Sequence, residues 1–350
     1  MRILHATEVV KGGPATHLRE LLPHQVSRYE RVSLLCREEE CELLGEIPGL
    51  KIIPVAGVAR TAAGLARLGA AIKRHARDHD IIHLHSSFAG LMGRVLVSTR
   101  SKHIVYCARG WSFAMDRPPL LKSAYAMVER LLSYNTDAII NISKKEHFLA
   151  KEYSLPEQKM TVVYNGISDC AWRPLDSTRA RRLLFVGRYD EQKGVDLLID
   201  AYPQLRDLGF SLTLIGGHVV GRTQIASVPD EVTELGWKRP DEIAKAMNEA
   251  DAVIMPSRWE GFGFVAIEAM RAARPVLAAN TGGLSEIVVD GETGFHFKPG
   301  NAAAIVDAAT RLAKADARAL GLAGRIRYEA MFSSTTMRHM IDEIYSRVGT

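Results

Sequence analysis

Ala252-Val253-Ile254-Met255-Pro256-Ser257-Arg258-Trp259-Glu260-Gly261-Phe262-Gly263-Phe264-Val265-Ala266-Ile267-Glu268-Ala269-Met270 decides how the chain folds. The opening apolar run, residues 252–255, is too short for a helix and fits a strand buried on both faces. A turn with Gly261 and Gly263 follows, and helical character sets in near Phe264. Strand, glycine turn and helix in that order form a βα unit of a parallel sheet. The glycines leave backbone N–H groups open where a helix begins, a place suited to anions. That helix is apolar nearly all round, which predicts burial, yet it carries Glu268. A buried carboxylate is costly unless hydrogen-bonded or paired, so Glu268 is expected to meet hydroxyls or a cation. Glu260 stands eight residues earlier, in the loop. Two carboxylates so placed suit one elongated polyhydroxylated ligand; the plainer reading is a structural ion pair.

The same alternation runs outward in both directions. Strands are expected at residues 183–186, 211–215, 232–235, 275–278 and 294–297 around this unit. Upstream they are expected at 2–6, 31–35, 51–55, 81–85, 103–107, 138–142 and 161–164. Amphipathic stretches separate them, as where Leu65, Leu68 and Ile72 oppose Arg67, Lys73 and Arg74. Residues 165–178 break the pattern with Gly166, Pro174 and polar residues, and read as an interdomain linker. Residues 335–348 carry Met337, Met340, Ile341, Ile344 and Val348 at helical spacing and read as a docking helix. The class is therefore α/β, with two doubly wound domains and a ligand cleft between them. We expect domains at 1–170 and 171–334, and a helix at 335–350 packing back on the first.

Composition agrees with this and excludes other classes. A length of 350 residues fits two domains at roughly 150 residues each. With 47% hydrophobic and 24% charged residues the chain is an ordinary globular sequence, not disordered or collagen-like. Cys36, Cys41, Cys107 and Cys170 are few and irregularly spaced, which reads as reduced thiols rather than a disulfide scaffold or zinc site. Met1 to His5 already reads as a strand and lacks a signal-peptide core. No run of about 18 uncharged apolar residues is present to span a membrane. The net charge of +5 is uneven, the first 175 residues carrying 24 Lys and Arg against 17 acids and the rest 21 against 23. Such asymmetry suits an anionic substrate or membrane face, or is scattered surface charge.

Two further loops carry chemistry. Gly12-Gly13-Pro14 follows the first strand, where glycine permits close backbone approach and proline suits a first helical turn. It is not a G-x-G-x-x-G fingerprint, which argues against a nicotinamide enzyme. Val186-Gly187-Arg188-Tyr189-Asp190-Glu191-Gln192-Lys193-Gly194 puts two cations five residues apart at a strand's C-terminal edge. A planar Arg fork and a compact Lys charge there suit a diphosphate. Asp78-His79-Asp80 imitates a metal motif but lies between a basic helix and a strand. His83 and His85 share one strand face and read as core or cleft-border residues. Trp111 and Phe113 read either as an acceptor-side platform or as packing.

In these residues the sequence resembles the retaining glycosyltransferases of family 4 (glycosyl transferases group 1), which have the GT-B fold. Glu260 and Glu268 match the family's E-x7-E element, and Gly187-Arg188 with Lys193-Gly194 matches its diphosphate loop. Asn280-Thr281-Gly282-Gly283-Leu284-Ser285-Glu286-Ile287-Val288 and Asp290-Gly291-Glu292-Thr293-Gly294 resemble its next blocks. Asp80-Ile81-Ile82-His83-Leu84-His85 and Tyr164-Asn165-Gly166-Ile167 fit upstream. The resemblance implies two facing Rossmann-like domains and a nucleotide-sugar donor, UDP favoured over GDP. It implies that Arg188 and Lys193 neutralise the departing diphosphate, Glu268 binds ribose hydroxyls and Glu260 the transferred sugar. Backbone at Phe262, Gly263 and Phe264 would hold sugar and phosphate, and Gly12 and Gly13 would approach the diphosphate. Gly236 and Trp237 would border the nucleobase.

The family needs no metal, and neither a metal nor another cofactor is expected here; nor is a nucleic-acid partner. The implied role is a hexosyl transferase acting on a lipid-linked or oligosaccharide acceptor in surface polysaccharide biosynthesis. That places it in the cytoplasm, with the basic first domain suited to the inner face of an anionic membrane. One departure matters: Tyr106-Cys107-Ala108-Arg109-Gly110-Trp111 has Arg109 where the family usually has a catalytic histidine. A guanidinium cannot serve as a general base, though it can donate to a sugar hydroxyl or diphosphate. The alternatives are a sugar-nucleotide-binding protein of low or no activity, and a nucleotide-sugar epimerase on the same fold.

Overall fold

The computed structural model describes residues 1–100, 102–115, 117–218 and 228–349. Seven strands build the first sheet: β1 (Arg2–Thr7), β2 (Arg31–Arg37), β3 (Lys51–Val55), β4 (Ile81–His85), β5 (His103–Cys107), β6 (Ala138–Asn141) and β7 (Met160–Val162). Every pairing is parallel, in the order β3-β2-β1-β4-β5-β6-β7. Its helices are α1 (Gly13–Arg28), α2 (Ala62–Ala76), α3 (Ser87–Leu96), α4 (Pro119–Ser133) and α5 (Lys144–Glu152). Alternate strand residues feed two cores. Leu4, Ile82 and Ile104 pack with Leu68 and Ile72 of α2 on one face, and Val32 and Leu34 pack with Leu18 and Leu22 of α1 on the other.

The second sheet comprises β8 (Arg182–Tyr189), β9 (Ser211–His218), β10 (Thr233–Glu234), β11 (Ala252–Met255), β12 (Val276–Ala279) and β13 (Gly294–Phe297). It is parallel throughout, in the order β10-β9-β8-β11-β12-β13. Helices α6 (Val195–Asp207), α7 (Pro240–Glu249), α8 (Phe264–Arg271), α9 (Leu284–Ile287), α10 (Ala302–Lys314) and α11 (Ala317–Arg327) accompany it. β8 and β9 run three residues past their expected ends, because Gly187, Arg188 and Tyr189 continue the ladder against Gly216, Gly217 and His218. Glycine hides this from a pattern built on apolar side chains.

The chain divides into two units, one of Met1–Ile167 with Ser334–Thr350 and the other of Ser168–Ser333. Exit and return lie side by side, since the Ser334 N–H donates to the Ile167 carbonyl at 2.8 Å. The final helix, α12 (Ser334–Val348), belongs to the first unit. It buries Met337, Ile341, Ile344 and Tyr345, each worth roughly 1.5–3 kcal/mol of apolar burial. Asp342 fixes it further, accepting from the Tyr29 hydroxyl at 2.6 Å and pairing with His24 at 2.8 Å.

In both sheets the strand order reverses once, between β1 and β4 and between β8 and β11. The crevice beyond the strand ends at such a switch point is where α/β sheets bind ligands.

Candidate active site

At the second switch point three loops meet: the one after β8, which carries Lys193 and follows Arg188 at the strand's end; the one after β11, with Glu260; and the one after β12, with Gly282 and Gly283. Gly194 caps α6 at φ 69° and touches the backbone of the next loop, where a β-carbon would strike the Pro256 carbonyl. Gly282, at φ 52°, lies equally close to the Glu260 carbonyl. Arg258 joins the first two loops, pairing with Asp196 at 2.5 Å while its N–H donates to the Gln192 carbonyl at 2.9 Å. The Gly283 N–H donates to the Gly261 carbonyl at 3.1 Å and ties in the third.

This convergence brings Lys193 against Glu260 in a mostly buried ion pair. The ion pair allowed by the sequence is thus formed, though between Glu260 and a lysine 67 residues away. Arg188 folds onto its own loop, meeting Asp190 at 3.2 Å and donating to Gln192 at 2.7 Å. Neither cation is a freely solvated loop charge.

Glu268 sits half-buried on α8, and among the described residues its carboxylate makes no hydrogen bond or ion pair. Burial raises its carboxyl to about 7 against the field of Arg271 and Lys193. Gly263, at φ 106°, caps α8, so the first helical N–H groups follow directly on the loop. The Phe262 ring is buried against Phe264 and Phe332, which leaves that residue only its backbone for a ligand contact. On β9, the Gly216 N–H donates to the Gly236 carbonyl at 2.9 Å. The Trp237 indole lies over Gly217 and remains 63% exposed.

The first switch point has a different character. A cavity of about 650 Å³ opens beyond β1, β4 and β5, with Glu8, Arg60, Ser86, Arg109, Arg117 and Val128 in its wall. Glu8 is already satisfied: it accepts from the Ser86 hydroxyl and from the Ala89 N–H at 3.0 Å, at the start of α3. Gly12, at φ 64°, caps α1 ahead of Gly13 and Pro14, and the first turn of that helix has no acidic residue.

Arg109 is half-buried at φ 53°, a left-handed conformation unusual for arginine. Its guanidinium donates to His85 Nδ1 at 2.9 Å and to Asn165 Oδ1 at 3.5 Å. A chain of hydrogen bonds starts there. With Nδ1 accepting, neutral His85 carries its proton on Nε2 and donates to His5 Nδ1 at 2.9 Å. His5 Nε2 then donates to Gln25 Oε1 at 2.6 Å. Gln25 donates to the Tyr345 hydroxyl at 3.4 Å, and Tyr345 meets His83 Nδ1 at 2.6 Å. His17 donates to Asn165 at 2.9 Å. Burial holds all four imidazoles neutral, His5 falling to about 4 and the others well below their usual value, with the charge of Arg109 adding to the effect.

His5, His83 and His85 lie within metal-ligating reach of one another. They do not fit a metal. His5 and His85 each use both ring nitrogens in the chain, and His83 stacks on His85 at 4.1 Å rather than converging with it.

Sequence reasoning missed His5, His17, Gln25 and Asn165 as members of the hydrogen-bond network around Arg109. The usable signal was register: His5 lies opposite His83, and Thr7 opposite His85. Trp111 and Phe113 are no platform; both are buried, and the indole donates to Asn141 at 3.0 Å. Asp80 is structural, paired with Arg2 at 2.7 Å and held down to about 2 by it. Helix α2 is a packing helix. Leu68 and Ile72 of its apolar face lie in the core. No helix of the described residues is long and apolar enough to cross a membrane.

Two parallel doubly wound units of this kind make up the GT-B fold. The sequence profile for glycosyl transferases group 1 matches residues 173–327, and that for glycosyltransferase family 4 matches residues 11–169. A 41.2 kDa protein of the Klebsiella pneumoniae cps region is 31% identical over 84% of this chain and 85% of its own length. A Methanocaldococcus jannaschii glycosyltransferase is 34% identical over 61% of this chain and 60% of its own. The Anabaena protein HepE, solved with UDP, superposes with a TM-score of 0.81 at 20% identity, over 99% of this chain and 100% of that one. The chain belongs to the family 4, group 1 glycosyltransferases.

Proposed function

We propose that this glycosyltransferase moves a hexosyl group from a nucleotide sugar, UDP-linked in preference to GDP-linked, with retention of configuration and without a metal. The observation that carries this reading is the half-buried Glu268 carboxyl, without a hydrogen bond among the described residues, beside the Lys193–Glu260 pair. Vicinal ribose hydroxyls would supply the donors Glu268 lacks. Lys193 and Glu260 hold each other ready and part when donor arrives, Lys193 turning to the diphosphate and Glu260 to a sugar hydroxyl. Negative charge grows on the diphosphate as it leaves, and Lys193, Arg188 and the backbone at Phe262, Gly263 and Phe264 would stabilise it in place. The leaving phosphate itself helps take the acceptor's proton, so no protein nucleophile is needed.

Gly236 and Trp237 would border the base, the exposed indole offering a stacking face. Gly12 and Gly13 would present backbone to the diphosphate. Support for UDP comes from the Anabaena protein, solved with UDP and with UDP-glucose. The first unit would take the acceptor, a lipid-linked or oligosaccharide intermediate of surface polysaccharide assembly, at the cytoplasmic face of a membrane. Calorimetry with UDP and GDP, followed by a donor screen read as nucleoside diphosphate release, tests this. No binding of either nucleotide overturns it.

A second reading, a sugar-nucleotide-binding protein of low turnover, is favoured by Arg109, whose guanidinium is committed to His85 and Asn165. Comparing donor turnover of the native chain and Arg109→His decides between them. A large gain favours the second reading, and an unchanged rate removes catalytic weight from the position.

A further inference from the structure

Helix α4 is amphipathic the wrong way round. Its inward face carries Ala126, Glu129 and Ser133. Glu129 is buried, pairing with Arg94 at 2.7 Å and accepting from the Tyr106 hydroxyl at 3.3 Å. Its outward face carries Leu120, Ala124, Met127 and Leu131 at i, i+4, i+7 and i+11, with Leu121 and Val128 in the next row. Leu120 is 85% exposed, Leu131 60% and Met127 56%. Tyr134, just past the helix, is exposed as well. A soluble monomer rarely displays so continuous an apolar stripe unless something covers it.

The surrounding charge says what that cover is. Residues 86–135 hold seven Lys and Arg against two acids, a surplus equal to the +5 of the whole chain. Arg94 and Glu129 cancel as a buried pair, leaving six Lys and Arg against one acid. Lys122 and Arg130 lie on α4 itself, and Arg100 follows Thr99, whose N–H donates to Asn135 at 3.0 Å just past the helix end. Isologous pairing with a second copy would set this basic patch against itself. An anionic leaflet neutralises it, takes the leucines into its acyl boundary and suits a tyrosine at its surface.

We propose that α4 is a membrane-docking helix that seats the first unit on a leaflet containing anionic lipid. The inference rests on the reading of the chain as a transferase to a lipid-linked acceptor, and gives that reading a geometry. Val128 is exposed on the apolar row and also lines the cavity that holds Arg60, Arg109 and Arg117. A docked α4 lets the polar end of an amphiphile enter the cavity while its hydrocarbon stays in the bilayer.

Co-sedimentation of the full chain with phosphatidylcholine vesicles, with and without phosphatidylglycerol, tests it. Binding is expected with phosphatidylglycerol and weaker binding without. The double variant Leu120→Glu, Leu131→Glu should lower partitioning more than roughly tenfold, and Lys122→Gln or Arg130→Gln roughly fivefold each. Arg67→Gln with Arg74→Gln in α2 should leave it little changed. Calorimetric UDP binding by the same preparations should be equal in all variants, which shows that they fold. No vesicle binding by the native chain, or equal binding by the double variant, overturns the proposal. So does a native dimer in sedimentation that the double variant dissolves while vesicle binding is unaffected. Vesicle binding without nucleotide binding sinks the transferase reading and leaves the docking surface standing.

Discussion

The two switch points obey one topological rule and carry opposite chemistry. In the second unit, Arg188, Lys193, Glu260 and Glu268 sit on or beside loops held together through Gly194 and Gly282, with charges that exchange partners in the proposed function. In the first, four neutral imidazoles and one guanidinium form a directed chain beneath a wide, partly apolar cavity. Topology decides where a ligand sits, and the residues placed there decide what it is. The second unit is equipped to answer changing charge; the first holds one arginine in one orientation.

The sharpest way to break this contrast is to remove the exchangeable charge. Lys193→Ala should cut turnover at saturating donor by about 10²–10³-fold, read as nucleoside diphosphate release. A change confined to KM would mean that the cation serves ground-state binding only.

The rigid chain predicts an acid limit. Unfolded, His5 takes its proton near 6.5; folded, it resists until about 4. Protons therefore favour the unfolded chain as pH falls, so stability complete above 6.5 is lost progressively toward 4. The loss from His5 alone is about 2 kcal/mol by pH 5. Chemical unfolding at pH 7 and pH 5 measures it, and His5→Gln should flatten the slope.

Glu268 predicts the reverse sign. Its carboxyl ionises near 4.5 when unfolded and about 7 when folded, so its contribution is favourable below 4.5 and lost as pH climbs. Glu268→Gln should therefore add about 1–2 kcal/mol at pH 8, after allowance for its partial solvent access, and nothing near pH 4. It should also weaken UDP binding about tenfold. A variant that binds UDP normally ends the ribose role. The smallest effect comes last: a chelator should leave transfer unchanged, and chelator-sensitive activity restored by a metal would overturn the metal-free mechanism.

Much of this was legible in the chain. Short apolar runs between glycine turns marked most strands to within a residue or two, because strands buried on both faces must be apolar throughout. Arg188, Lys193, Glu260 and Glu268 stood out as charges in or beside glycine loops. Their pairing was not legible, since Lys193 meets Glu260 only after two loops pack through Gly194 and Pro256. Asn165 was visible within a motif, but its contact with Arg109 depends on chain closure across 56 residues.

The helices show where the boundary lies. Helices α2 and α4 are both amphipathic, and α2 showed it plainly in sequence, where Leu65, Leu68 and Ile72 oppose Arg67, Lys73 and Arg74. Periodicity fixes that a helix has two faces, because side chains repeat every 3.6 residues. Which face turns inward depends on what the rest of the fold offers it. The core took Leu68 and Ile72 from α2, whereas Arg94 and Tyr106 took Glu129 from α4 and left its leucines outside. The sequence determined the elements, the parallel class and the chemical vocabulary of the loops. Burial, register and the pairing of distant charges were decided only by the tertiary structure, because each is a relation between residues far apart along the chain.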